Sequence, residues 1–268
     1  MNDPDLKLLI AVVLVAALGA AAWFWWDEVF APPVTETPVS LPPVPAETGA
    51  DAGPRYPMPE STGVESPTGE LVPLPPLDDS DSYFLLEIEN TLGEAVAELF
   101  VREAVIDRLV ASIDNLTRSG IPDRIRPVGT LDASFEPDTA EDEETLMLGI
   151  HSYARYDALV AYLYYADIDT VYDAYQRFYP LFQKAYEQLG YPDAYFNDRL
   201  IEVIDHLLAA PVPDGPIVLT RPNVLYEFAD PDLEALSSGQ KLLLRMGPNN
   251  AGTLKRKLEA FRERLTRH

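Results

Sequence analysis

The sequence predicts a mainly α fold with a small β element (α+β). It predicts a multi-helix globular domain with two or three short strands, preceded by a transmembrane helix and a disordered proline-rich tether. Three observations carry this. Residues 8–26 form an unbroken apolar run, residues 27–80 hold 13 of the 25 prolines, and from Ser82 onward apolar residues recur at helical spacing. The expected domains are accordingly 1–7, a short cytoplasmic tail; 8–26, the anchor; 27–80, the linker; and 81–268, the helical domain.

The apolar run reads LLIAVVLVAALGAAAWFWW, with no charge between Lys7 and Asp27. As a helix its 19 residues span about 29 Å, close to the hydrocarbon core of a bilayer. Leu8 opens the span, and Trp23, Trp25 and Trp26 close it with Phe24, where an aromatic belt belongs. Ala20, Ala21 and Ala22 resemble the cleavage site of a signal peptide, but the leader MNDPDLK is acidic and the tryptophans suit an uncleaved anchor. Lys7 precedes the span, while no Lys or Arg follows until Arg55. That bias places the amino terminus in the cytoplasm and the remainder outside, which in a Gram-negative cell means a single-pass inner-membrane protein with a periplasmic body.

Residues 27–82 carry 11 acids against Arg55 alone, and few large apolar groups. Such a composition buries too little surface to offset ordering entropy, so an extended tether is expected. Its proline clusters could also dock a partner.

The elements of the folded part follow in order. Asp81 or Ser82 can cap a helix through about Thr91, and Gly93 breaks it from a second helical region over roughly 94–115. The apolar runs 131–135 and 145–150 predict two strands joined by the acidic loop 136–144. Ser152 is expected to cap a helix to about Tyr165, and Asp169 another to about Leu189, ended by Gly190. A third helix runs to about Leu208, and 217–219 suits a further strand. Asp230 and Pro231 start a short helix, Ser237 and Gln240 form a capping box for the next, and Gly247 stops it. The last helix covers about 250–266.

The whole chain has 44 acidic and 20 basic side chains, three histidines and no cysteine. A formal charge of −24 excludes a nucleic-acid partner, which needs a basic footprint. Absence of cysteine removes thiol nucleophiles, thiolate metal sites and disulfides together.

No complete catalytic or metal set emerges, and no cofactor is expected. In YPDAYFNDRLIEVIDHLL (191–208), Phe196, Leu200, Val203, Ile204, Leu207 and Leu208 share one helical arc, while Asp198, Glu202, Asp205 and His206 share the opposite, solvated one. Asn197 falls on the apolar arc, as a buried amide with specific partners or, preferably, as the helix cap. DIDTV (167–171) imitates an aspartate-nucleophile phosphatase, but it continues a helical pattern. SGQK (238–241) imitates a serine–lysine acylating site without its companion elements, and capping explains Ser237 and Gln240. The stretch 136–144 has six carboxylates in nine residues but lacks the spacing of a calcium loop. The closing helix, net +4 over 254–268, is expected to pack on the acidic body, with docking onto an anionic membrane or polymer as the other option.

Tyrosine is concentrated, with 11 of the 14 between residues 153 and 195. The spacing suits a core of amphipathic rings, or a groove in which rings stack on a sugar or peptide while arginines bind carboxylates. Candidate groove residues are Tyr156, Arg177, Tyr179, Asn197, Asp198 and Arg199. The alternative is an enzyme acting on cell-wall glycan or peptide through a carboxylate pair drawn from Asp198, Glu202 and Asp205.

With these residues in view, the chain resembles an uncharacterised proteobacterial domain-of-unknown-function family, numbered 3014. The carrying segments are LPPLDDSD (74–81), ASIDNL (111–116), RIRPV (124–128), YARYDALV (153–160), RFYPLFQKAYEQLGYPDAYFNDRLIEVIDHLL (177–208) and LYEFADPDLEALSSGQKLLLRMGP (225–248). Anchor and tether are similar to that family's layout. The resemblance implies architecture and location, and supplies no activity or catalytic role. The expectation is therefore a membrane-anchored periplasmic binding or scaffold module of the cell envelope, with the inner membrane, and an envelope protein or peptidoglycan, as partners.

Overall fold

The structure, a computed structural model, describes residues 53–59, 63–65, 71–128, 135–140, 144–165, 167–222 and 225–267. The expected anchor, with Leu8, Trp23, Trp25 and Trp26, lies outside the described residues, as do the tail and linker residues up to 52. Among the described residues no helix is long and apolar enough to cross a membrane.

The body is mainly helical, with a small antiparallel sheet to one side. At its centre stands α6 (Ile168–Gln188), which packs against α1 (Asp81–Leu92), α3 (Val105–Asn115), α7 (Phe196–Leu208) and α10 (Gly247–Thr266). Val171, Tyr172, Ala174, Tyr175, Phe178, Leu181, Phe182, Ala185 and Tyr186 of α6 are buried, an apolar face at steps of three and four that runs its whole length. Phe84 of α1 meets Phe178 and Phe182 edge-on, at centroid distances of 5.1 and 5.6 Å. The basic closing helix α10 buries Leu254, Leu258, Phe261 and Leu265 on α5 (Asp157–Tyr164), α6 and α7.

The sheet has the order β3-β4-β5-β6, formed by β3 (Asp138–Thr139), β4 (Leu146–Met147), β5 (Val218–Thr220) and β6 (Glu227–Phe228). All neighbours are antiparallel, with Asp138 opposite Met147, Leu146 opposite Leu219, and Leu219 opposite Phe228. It closes a second small core of Phe135, Leu148, Ile217, Leu219 and Phe228 against Leu244 of α9 (Ser238–Arg245). The buried Arg245 guanidinium stacks 5.2 Å from the Phe228 ring, and its burial pulls the group down to about 10.

Several expected details change. Asp81 does not cap its own helix. Its carboxylate accepts from the Ala104 and Val105 N–H groups, both at 2.8 Å, and so caps α3 across the fold. Ala104 takes a left-handed conformation at φ 51°, held by that contact. The region 94–115 divides into α2 (Glu94–Ala97) and α3, because between them Phe100 and Val101 pair with Val128 and Pro127, and the left-handed Ala104 then opens α3. The expected hairpin is present, but its first strand lies inside the acidic stretch, at Asp138–Thr139; residues 131–134 are outside the described residues. Ser152 is a buried residue of α4 (Ile150–Ala154), its hydroxyl donating to the Glu136 carbonyl at 3.1 Å, and α5 begins separately. Asp167, not Asp169, caps α6, accepting from the Thr170 N–H at 3.3 Å, while Asp169 pairs with Arg264 at 2.9 Å. The last helix begins at Gly247, whose φ of 77° turns the chain out of α9.

The linker expectation reached to residue 80, yet its described parts pack on the body. Strands β1 (Val64–Glu65) and β2 (Leu71–Val72) pair, Val64 and Leu77 join the main core, and Tyr56, Met58 and Leu74 lie against it.

Candidate binding site

The site is built on α7. Its apolar arc faces the core as the spacing predicts, and Asn197 lies on that arc with 0% exposure. The cap reading of Asn197 is wrong, because α7 already begins at Phe196 with Tyr195 at the cap position, and the buried amide finds its partners inside. Its Oδ1 accepts from the Tyr175 hydroxyl at 3.1 Å, and its Nδ2 donates to the Tyr56 carbonyl at 2.9 Å. The start of α7 is served instead by Gln183 of α6, whose Oε1 accepts from the Phe196 N–H at 2.8 Å.

Tyr56 belongs to a strap, GPRYPMP (53–59), laid across α7. Asp198 accepts from the Tyr56 N–H through Oδ1 and from the Arg55 N–H through Oδ2, each at 3.0 Å. The Arg55 guanidinium reaches Glu202, and its Nε lies 3.8 Å from Asp198. Prolines 54, 57 and 59 have no N–H to offer, so among residues 54–59 only Arg55, Tyr56 and Met58 can donate. Asp198 takes the first two. The supposed solvated face of α7 is thus partly covered, and Asp198 is only 14% exposed against 57% for Arg55.

Beside the clamp lies a buried charge network. The Asp114 carboxylate, 3% exposed, receives Arg199 Nε at 2.8 Å, Arg118 Nη2 at 3.0 Å and the Tyr191 hydroxyl at 3.3 Å. Arg199 also donates to the Asp114 carbonyl at 2.9 Å and to Thr117 Oγ1 at 2.8 Å, and its Nη1 lies 3.5 Å from Glu202. Burial opposes the Arg199 charge, and Asp114 more than restores it, leaving the group above its ordinary value. Burial pushes Tyr179 up to about 12 and Tyr186 higher still.

The six candidate groove residues do not form one groove. Tyr179, Asn197, Asp198 and Arg199 assemble around the strap and the Asp114 network. Arg177 pairs with Glu87 of α1 instead. Tyr156 is buried in the main core, near Arg155 and Arg245. The tyrosine cluster divides likewise, with Tyr172, Tyr175 and Tyr186 in the core and Tyr162, Tyr164 and Tyr165 exposed on and beside α5.

The carboxylates proposed for hydrolysis are engaged: Asp198 and Glu202 by the strap, Asp205 by Arg262. In SGQK, the Ser238 hydroxyl donates to the Asn115 carbonyl at 3.2 Å and Lys241 Nζ binds Glu234 Oε1 at 2.6 Å, so the two point to different partners. Sequence reasoning did not foresee a contact of 2.8 Å between His206 Nε2 and Ser237 Oγ. Burial and then Arg199 push His206 below its ordinary value. The neighbouring Ser238 and Gly239 N–H groups are not available to an anion beside this pair, since they donate to the Arg118 and Leu116 carbonyls at 2.7 and 3.0 Å. Among the described residues no group of three or more metal-ligating side chains is placed to hold an ion. A separate groove of about 610 Å³ runs between α1 and α2, its rim including Asp78, Asp79, Glu89, Glu94 and Glu98 over Leu85 and Leu86.

Sequence reasoning also missed the strap itself. Its one available signal was Arg55, the lone base between Lys7 and Arg102.

A family model described as Protein of unknown function (DUF3014) matches residues 105–262, more than half of the chain. The chain belongs to that family. No curated protein and no solved structure matches it. The DUF3014 match takes in Asp114, Asn197, Asp198, Arg199 and Glu202, whereas the strap held by Asn197, Asp198 and Glu202 lies before it.

Proposed function

We propose that this DUF3014 member is a membrane-anchored periplasmic binding or scaffold module of the cell envelope. In this reading residues 8–26 sit in the inner membrane, the amino terminus is cytoplasmic, and the helical body engages an envelope protein or peptidoglycan. The observation that carries the binding role is the clamp in which Asn197 and Asp198 read main-chain groups, and Glu202 the Arg55 guanidinium, of a strap lying between the expected anchor and the body. Side chains that satisfy a backbone in this way perform recognition and leave no carboxylate free as a base. Hydrolysis through Asp198, Glu202 or Asp205 is supported less well, because each already holds a cation.

The test joins topology to capture. Reporter fusions at the carboxyl terminus should be active only outside the cytosol, and crosslinking of the intact protein in envelopes should recover a specific partner that is lost when residues 83–268 are deleted. A cytosolic carboxyl terminus, or turnover of purified wall material with no partner recovered, would overturn the proposal.

A further inference from the structure

We infer that the Asn197–Asp198–Glu202 edge of α7 is a receptor for a bent peptide, arginine followed by an aromatic residue and proline, which residues 55–57 occupy in cis and a partner protein's segment of like chemistry can replace. The inference rests on the binding-module reading, and names its site.

Strap residues alternate between exposed and half-buried from Gly53 to Pro59, with Pro54, Tyr56 and Met58 toward the body. The chain bends at Arg55 and Tyr56, which turns two successive N–H groups toward the one Asp198 carboxylate, and the segment is held on one side only. The body reads its main chain through three contacts: Arg55 N–H and Tyr56 N–H to Asp198, and Tyr56 carbonyl to Asn197. Main-chain contacts supply affinity without fixing sequence, and the selective element is the cation between Asp198 and Glu202. The prolines on either side stiffen the segment before it binds, which lowers the ordering cost for any ligand built alike.

The groove also needs a ligand. When the strap leaves, Asn197 Nδ2 loses the Tyr56 carbonyl and the two Asp198 oxygens lose the Arg55 and Tyr56 N–H groups. The Asn197 amide is fully buried, and water reaches it only once the strap has moved. An incoming segment that repeats the two N–H groups, the carbonyl and the cation restores every one of these contacts. Cis occupancy lowers the apparent affinity for such a segment by the fraction of time that the groove stands open.

The test uses the full-length chain in detergent and a fluorescent peptide, GPRYPMP. An Arg55→Glu, Tyr56→Ala variant, which weakens the cis contact, should bind the peptide roughly tenfold tighter than wild type does. Adding Asp198→Asn to that variant should abolish binding, and a peptide with glutamate in place of arginine should bind at least about tenfold more weakly. Equal binding to variant and wild type, indifference to Asp198→Asn, or no binding to a folded variant would each overturn the inference. Should the double variant lose its helical circular dichroism, native-state hydrogen exchange on wild type decides. The Tyr56 amide should then exchange through local opening while Phe178 stays protected; exchange of Tyr56 only on global unfolding would overturn the inference. A body found in the cytosol would overturn the envelope role and leave the peptide result standing.

Discussion

Asn197 on α7 and Tyr175 on α6 meet through a hydrogen bond of 3.1 Å, closed off from solvent on every side. The same amide reaches out through its nitrogen to the Tyr56 carbonyl, so one side chain joins two core helices and the strap. Burial drives the Tyr175 hydroxyl well above its ordinary range, which keeps it protonated as the donor.

Asn197→Ala removes both contacts and leaves the Tyr175 hydroxyl buried without its acceptor. The expected cost is about 2 kcal/mol, read from the urea midpoint at unchanged slope. Asn197→Asp should cost more, because it places a carboxylate where only a neutral amide is satisfied.

Arg199→Ala strips the main cation from the buried Asp114 carboxylate. About 3 kcal/mol of stability should be lost, with Arg118 retaining part of the pairing. Arg199→Lys should fail to rescue it, since one ammonium cannot serve Asp114 Oδ1, the Asp114 carbonyl and Thr117 together. Chemical denaturation of the three proteins checks both statements.

Stability should fall on acidification because of His206. Its folded pKa lies below the ordinary value of 6.5, so the fold favours the neutral ring and the unfolded chain binds the proton more readily. This contribution is fully present above 6.5 and is lost as pH falls through the folded value. His151 acts with opposite sign, raised by its hydrogen bond to Asp138, so its contribution holds at low pH and is lost as pH rises through its folded value. Between about pH 7.5 and 5 the urea midpoint of wild type should fall relative to that of His206→Gln, which keeps the His151 contribution and lacks the other.

Salt should act on one part of the clamp only. The Arg55–Glu202 pair is exposed and contributes no more than about 1 kcal/mol, so Glu202→Gln should loosen the strap slightly and reduce its salt sensitivity to that of the longer Arg55–Asp198 contact. The two N–H contacts to Asp198 should persist in high salt. Amide protection at Tyr56 across a salt series, for both proteins, measures this.

Much of the architecture is legible in residue order. The steps of three and four in 171–186 and 196–208 set which faces of α6 and α7 are buried, and Asp230, Ser237 and Gly247 mark the helix ends where they are found. What eludes local reading is any side chain whose partner is distant in sequence. Asp81 has the chemistry of its own helix cap but serves residues 104 and 105, and Asn197 stands among apolar residues because Tyr175 and Tyr56 come to it. The strands of two and three residues are placed by pairing across the chain, Leu146 with Leu219, more than by their own apolar content. The clamp was half visible: Asn197, Asp198 and Arg199 stand out beside one another, but a proline-rich acidic stretch gives no sign that one arginine-bearing turn of it is held.

Hydrogen exchange at the Arg55 and Tyr56 amides, in wild type and in Asp198→Asn, tests the strap most directly. Both amides should be protected in wild type, less than the core amide of Phe178, and should lose that protection in the variant while Phe178 keeps its own. Free exchange in wild type, or protection that survives the loss of the Asp198 charge, would contradict the clamp.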